Sequence, residues 1–322
     1  MTTRGLVLGG GGVLGAAWMI GALGVLEQVV GVDAREFDHI AGTSAGSVLA
    51  GLLGAGVSVR ELADHQRGHV TEGPLADLEW DHKNATGGSH PPRPKLGVGS
   101  PAMVARGLRK LRRMPPTAVL AAFAPEGRGS LDNVRELISA AAPNGGWVDR
   151  DGVWIMAVDY EDGRRVVFGR EDEPAASLAD AVAASCAIPA WFAPVVIDGH
   201  RYIDGGAWSA TSVDVLAGLG LDEVYVVAPM ASGEVDRPPS IVGKLERRWR
   251  SRTTRRCLRE AAVLKAEGTN VTVLGPGPDD LRAIGANVMD VSRRLHVLET
   301  AAWTTERALK RGGIRDSKPP AT

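Results

Sequence analysis

Short apolar runs alternate with longer stretches of helical composition along this chain. Residues 5–8 form a brief apolar run, 9–12 are four consecutive glycines, and 13–30 are small and apolar until Glu27 and Gln28. That order predicts a strand, a tight loop and a buried helix. A second unit follows, with a buried strand over 37–41 and a helix over 45–53. Residues 59–70 read as a further helix. Residues 72–99 are polar, with Gly and Pro throughout, and read as an excursion from the core, either a lid or a surface loop. A helix is expected over 101–114, with Met103, Val104, Leu108 and Leu111 along one side and Pro115-Pro116 ending it. Another spans 130–142, with Ser130 as its N-cap. Strands over 154–158 and 165–168 are joined across Asp162-Gly163, a hairpin signal. A small-residue helix over 178–187 stops before Pro189, and two short strands, 195–197 and 201–203, flank Asp198-Gly199. Residues 224–228 are apolar almost without a break, as in a strand buried on both faces, and 271–274 read as another. Residues 279–310 suggest a helix or helix pair, and the end of the chain a disordered tail.

Composition narrows the class. At 322 residues, with 44% apolar and 23% charged, the chain has ample length to bury a core. Its 37 basic and 38 acidic side chains nearly cancel, so no global field draws it to nucleic acid. Cys186 and Cys257 are the only cysteines, which fits a reducing compartment and is too few for a cysteine metal cluster. The apolar N-terminus is interrupted by Gly9 to Gly12, Gly15, Gly21 and Gly24, which argues for tight folding over a translocated signal. A cytoplasmic protein is expected.

Charge and histidine patterning leave open readings. His65 and His69 stand at i,i+4, but no Glu lies between them in the metalloprotease pattern and no third ligand is evident. A solvated helix face is expected there, and no metal. Basic residues gather in 106–113, and eight lie in 244–259 against Glu246. Both segments read as solvated helix faces or as peripheral contacts with an anionic membrane. Nucleic acid fits poorly, because Trp249 is the one aromatic in the second segment.

The strongest local signal is Gly42-Thr43-Ser44-Ala45-Gly46, between the second strand and its helix. Gly-x-Ser-x-Gly at such a corner is a nucleophile elbow, with Gly42 and Gly46 required by close backbone approach. It sets the Ser44 hydroxyl at a helix N-terminus, where N–H groups favour developing negative charge. The glycine loop has three readings. Gly10, Gly12 and Gly15 match a dinucleotide fingerprint, with Asp33 placed for a ribose. The same loop would serve as an oxyanion hole, or simply as a tight turn. Asp204, opening Asp204-Gly205-Gly206 at a strand end, has room to approach a serine and act as its base. A triad of Ser44, Asp204 and His296 is the alternative.

Taken together, these segments resemble the patatin-like phospholipase family. The resemblance rests on residues 8–15, on 42–46 and on Asp204-Gly205-Gly206, with support from 157–168 and 184–189. It covers roughly residues 5–230. It implies a three-layer α/β/α sandwich with a central, mostly parallel sheet and a lid insertion at about 72–116. One hydrolase domain would span 1–310, with a helical part over 240–310 and a disordered tail over 311–322. It further implies a metal- and cofactor-free serine acyl hydrolase of lipid esters. Ser44 would be the nucleophile and Asp204 the base, with the amides of Gly10, Gly11 and Gly12 cradling the oxyanion. A desolvated pocket around Asp204 is then expected, since an ordinary aspartate is too acidic for this work.

Overall fold

The computed structural model describes residues 2–311 apart from 71, 77, 83–89, 98, 110–113, 235, 237 and 239, with the backbone alone at 106–109. In chain order come β1 (Arg4–Leu8), α1 (Gly12–Val30), β2 (His39–Thr43), α2 (Ala45–Gly54), α3 (Val59–Arg67), α4 (Pro101–Arg109) and α5 (Pro116–Phe123). Then follow α6 (Asp132–Ala141), β3 (Val153–Asp159), β4 (Arg165–Phe168), α7 (Leu178–Ser185), β5 (Val195–Ile197) and β6 (His200–Asp204). The last are β7 (Glu223–Val227), α8 (Ile241–Ala266), β8 (Asn270–Leu274), α9 (Pro278–Ile284) and α10 (Arg294–Lys310). Proposals for the tail over 312–322 and for the basic residues at 110–113 lie outside the described residues.

One sheet organises these elements, with strand order β5-β6-β3-β2-β1-β7-β8 and β4 pairing off the path with β3. Strands β3, β2, β1, β7 and β8 are mutually parallel, and β4, β5 and β6 run antiparallel to their neighbours. Along β1, Leu6 and Leu8 enter one apolar cluster and Val7 the other, all fully buried. The sheet is therefore covered on both faces, as its unbroken apolar strands require. Helices α1, α2, α6 and α7 pack on one side, and α8 supplies Cys257, Ala261 and Leu264 to the other.

Helix α1 is the one helix among the described residues long and apolar enough to cross a membrane, but Trp18, Met19, Ala22 and Leu23 are spent on this core. Gly21 lets α10 lie directly against it, since a Cβ there would stand 2.3 Å from the Leu298 carbonyl oxygen.

Two local expectations need correction. Pro115-Pro116 does not simply end a helix; Pro116 opens α5, at a first-turn position where its missing N–H costs nothing. Ser130 is not the N-cap of α6. That position is Leu131, and the Ser130 hydroxyl instead accepts from the Asp132 N–H at 3.0 Å. Part of the 72–116 insertion belongs to the interior, because Met103 and Met114 pack with Val158, Tyr160 and Ile203.

Candidate active site

Strand register builds the site. Thr43 of β2 lies opposite Met156 of β3, and the next residue of β3, Ala157, lies opposite Asp204 of β6. The chain turns immediately after Thr43, so Ser44 at the end of β2 and Asp204 at the end of β6 meet across the intervening strand β3. Ser44 has φ 53° and ψ −123°, a strained backbone of the kind that concentrates at functional positions. The corner closes only because its glycines lack side chains. A Cβ on Gly42 would lie 2.4 Å from the Gly46 carbonyl oxygen, and one on Gly46 would lie 2.0 Å from that of Leu8.

The Ser44 Oγ–H donates to Asp204 Oδ2 at 2.7 Å. The other carboxylate oxygen, Oδ1, accepts the Gly206 N–H at 2.7 Å, so both oxygens are fixed. Ser44 is 8% exposed and Asp204 5%. Burial pushes the Asp204 carboxyl up to about 6, against the bonds from Ser44 and Gly206, which hold it down. The desolvated aspartate expected from sequence is present, tuned toward the range where a carboxylate accepts protons. Beside it, burial and the same carboxylate push the Cys186 thiol up to about 12, leaving it neutral and a poor nucleophile.

The glycine loop reaches this pair from the end of β1. A Cβ on Gly10 would lie 3.2 Å from Ser44 Cβ. Of the three amides expected to form an oxyanion hole, that of Gly10 is already committed: its N–H donates to the Ala210 carbonyl at 2.8 Å. Gly10 therefore anchors the loop. Gly12 and Ser44 line one cavity, and Gly12 begins α1, where N–H groups lack partners within the helix. Gly11 precedes it, pressed against the Pro229 ring so closely that a Cβ would stand 2.7 Å away. Residues invisible to motif reading complete the frame. The Ser185 hydroxyl accepts the Ser44 N–H at 2.8 Å, and Ser47 Oγ donates to the Ser44 carbonyl at 2.6 Å. Only the small-residue helix over 178–187 points to the first.

Several alternatives fall away. His296 is exposed on α10, in a surface hollow with Asp279, Arg282 and Trp303, while Ser44 bonds Asp204 directly; no triad forms through it. Asp33 does not wait for a ribose, because Arg35 occupies both its carboxylate oxygens at 2.6 to 2.9 Å. His65 and His69 do not share a face: α3 closes at Gly68, His69 is exposed beyond it, and His65 is buried. The expectation of a solvated histidine face is thus wrong for His65, which sits under Trp80 and His82 at ring separations of 5.6 and 5.3 Å. Burial first, then His82 and Arg294, lowers it to about 4. Among the described residues no group of three His, Cys, Asp or Glu side chains converges as a metal site.

The 244–259 segment is not a uniformly solvated face either. Arg250 is fully buried, bonding Glu246 at 2.7 Å and the Pro229 carbonyl, and Arg247 is buried against Asp236 and Glu246.

The family model described as patatin-like phospholipase matches residues 6–217. Among solved structures, VipD from Legionella pneumophila is similar over 97% of this chain and 67% of its own, at 14% identity and a TM-score of 0.44. The type III effector protein ExoU is similar over 98% of this chain and 54% of its own, at 16% identity and a TM-score of 0.37. No curated protein matches the chain.

Proposed function

The chain belongs to the patatin-like phospholipase family of lipid acyl hydrolases, and from that premise we propose that Ser44 and Asp204 are its catalytic dyad. The 2.7 Å bond from Ser44 Oγ to Asp204 Oδ2 carries the reading. Asp204 takes the hydroxyl proton as Oγ attacks the ester carbonyl carbon, then returns it to the departing alcohol. Water, deprotonated by the same carboxylate, releases the acyl group and restores Ser44. Negative charge on the tetrahedral oxygen is met by the amides of Gly11 and Gly12 at the start of α1, with the N-terminus of α2 adjacent. Gly10 holds that loop in register through Ala210. The chemistry needs no metal or cofactor, and we assign it to one hydrolase domain over 1–310.

A panel of phospholipid, lysophospholipid, glyceride and thioester substrates tests this. Turnover lost in both Ser44→Ala and Asp204→Asn supports the dyad; turnover unchanged in either removes it.

We further propose peripheral docking on an anionic lipid surface by the first half of α8, in a cytoplasmic protein. Ile241, Val242, Leu245 and Trp249 are exposed there, beside exposed Lys244, Arg248, Arg252 and Arg255. An apolar stripe next to a cationic one suits an interface with acidic headgroups. The basic side chains of 106–113 lie outside the described residues. Co-sedimentation with phosphatidylserine vesicles, but not phosphatidylcholine ones, is expected, and should fall in Leu245→Glu. Equal binding to both lipids would contradict it.

A further inference from the structure

A cavity of about 120 Å³ opens beside Ser44 and runs between α1, α2, α3 and α6. Most of its wall is hydrocarbon, from residues such as Ile20, Leu49, Leu62 and Val134, as an acyl chain requires. Two atoms break that pattern. His65 and Gln66 both belong to the lining, and their Nε2 and Oε1 atoms are buried from solvent with no hydrogen-bond partner among the described residues. His65 as a whole is 7% exposed, and the Trp80 and His82 rings cover it. His82 does not relieve it, since its own Nε2 is bonded to the His65 carbonyl oxygen at 3.0 Å.

An unsubstituted chain filling this cavity would leave both polar atoms unpaired, which is costly in a dry site. A hydroxyl is the group that meets both needs. With the His65 proton on Nε2, a hydroxyl seated between the two side chains donates its hydrogen to Gln66 Oε1 and accepts from the ring. A ketone or ether only accepts and leaves Gln66 unsatisfied, and a carboxylate would bring a charge into an apolar wall. Resting on the acyl hydrolase reading of Ser44, we infer that this cavity selects hydroxylated acyl chains, with the hydroxyl bound by His65 and Gln66.

The test is an equilibrium one. Ser44→Ala protein is titrated by calorimetry with decanoic acid and with decanoic acids hydroxylated at successive carbons. At least one hydroxy acid should bind about tenfold or more tightly than the parent. Adding Gln66→Leu, or independently His65→Leu, should abolish that advantage, read as the ratio of hydroxy acid to parent affinity within each variant. Parent binding equal to every hydroxy isomer, no binding of either kind, or an advantage that survives both substitutions would overturn the inference. Because no turnover is needed, the two readings fail separately. A protein that prefers hydroxy acids but hydrolyses no ester loses the hydrolase assignment, and one that hydrolyses plain and hydroxylated esters equally loses only the selectivity.

Discussion

Replacing Asp204 with Asn keeps the size and planar shape of the side chain and removes a charge from a nearly dry position. Asn can still accept the Gly206 N–H and meet the Ser44 hydroxyl through its amide, so the local bonds survive. What changes is the cost of ionisation. Burial raises this carboxyl from 3.8 to about 6, so the native state binds its proton more tightly than the unfolded chain does. The sign follows: native stability is greatest below 3.8, declines as pH rises toward about 6, and is level above. At about 1.4 kcal/mol per tenfold change in affinity, that interval corresponds to up to about 3 kcal/mol carried by the wild type at neutral pH. Asp204→Asn should therefore match wild type near pH 4, gain stability relative to it as pH rises, and reach its full advantage by pH 7. Urea unfolding across that range reads the difference directly. Activity should move the other way, falling by about 10²–10⁴-fold through loss of the base. In the wild type, kcat/KM should rise through pH 6 as the carboxylate ionises. A stability difference that does not vary with pH, or a variant that keeps most of its turnover, would refute the reasoning.

Two further substitutions test the frame. Gly46→Ala places a methyl group 2.0 Å from the backbone oxygen of Leu8, which no rotamer relieves; destabilisation of about 3 kcal/mol or more is expected in urea titration, with loss of esterase activity. Arg250→Ala strips one of the two buried arginines that pair with Glu246 and the donor to the Pro229 carbonyl, at an expected cost of about 3–5 kcal/mol in urea titration.

The regular elements were legible because apolar runs buried on both faces and glycine corners leave plain marks in one dimension. Ser44 and Asp204 were legible for the same reason: each sits at a strand end followed by glycines that a close approach demands. What stayed hidden depends on partners far along the chain. Gly10 looks identical to Gly11 and Gly12 until the Ala210 carbonyl, which claims its amide, is in view. His65 reads as a surface residue because the Trp80 and His82 rings that bury it come from a polar insertion with no periodicity. Arg247 and Arg250 look like members of a charged face, and only the approach of Asp236 and Pro229 explains their burial. Pro116 reads as a stop along the sequence, yet its fixed φ equally suits a start.

The central claim, an Asp204-activated Ser44, is tested most directly by reaction with a fluorophosphonate followed by peptide mass spectrometry. One adduct, on Ser44, is expected, forming in the wild type at a rate that rises through pH 6 and at least a hundredfold more slowly in Asp204→Asn. An adduct on another residue, or wild-type labelling rates in Asp204→Asn, would contradict it.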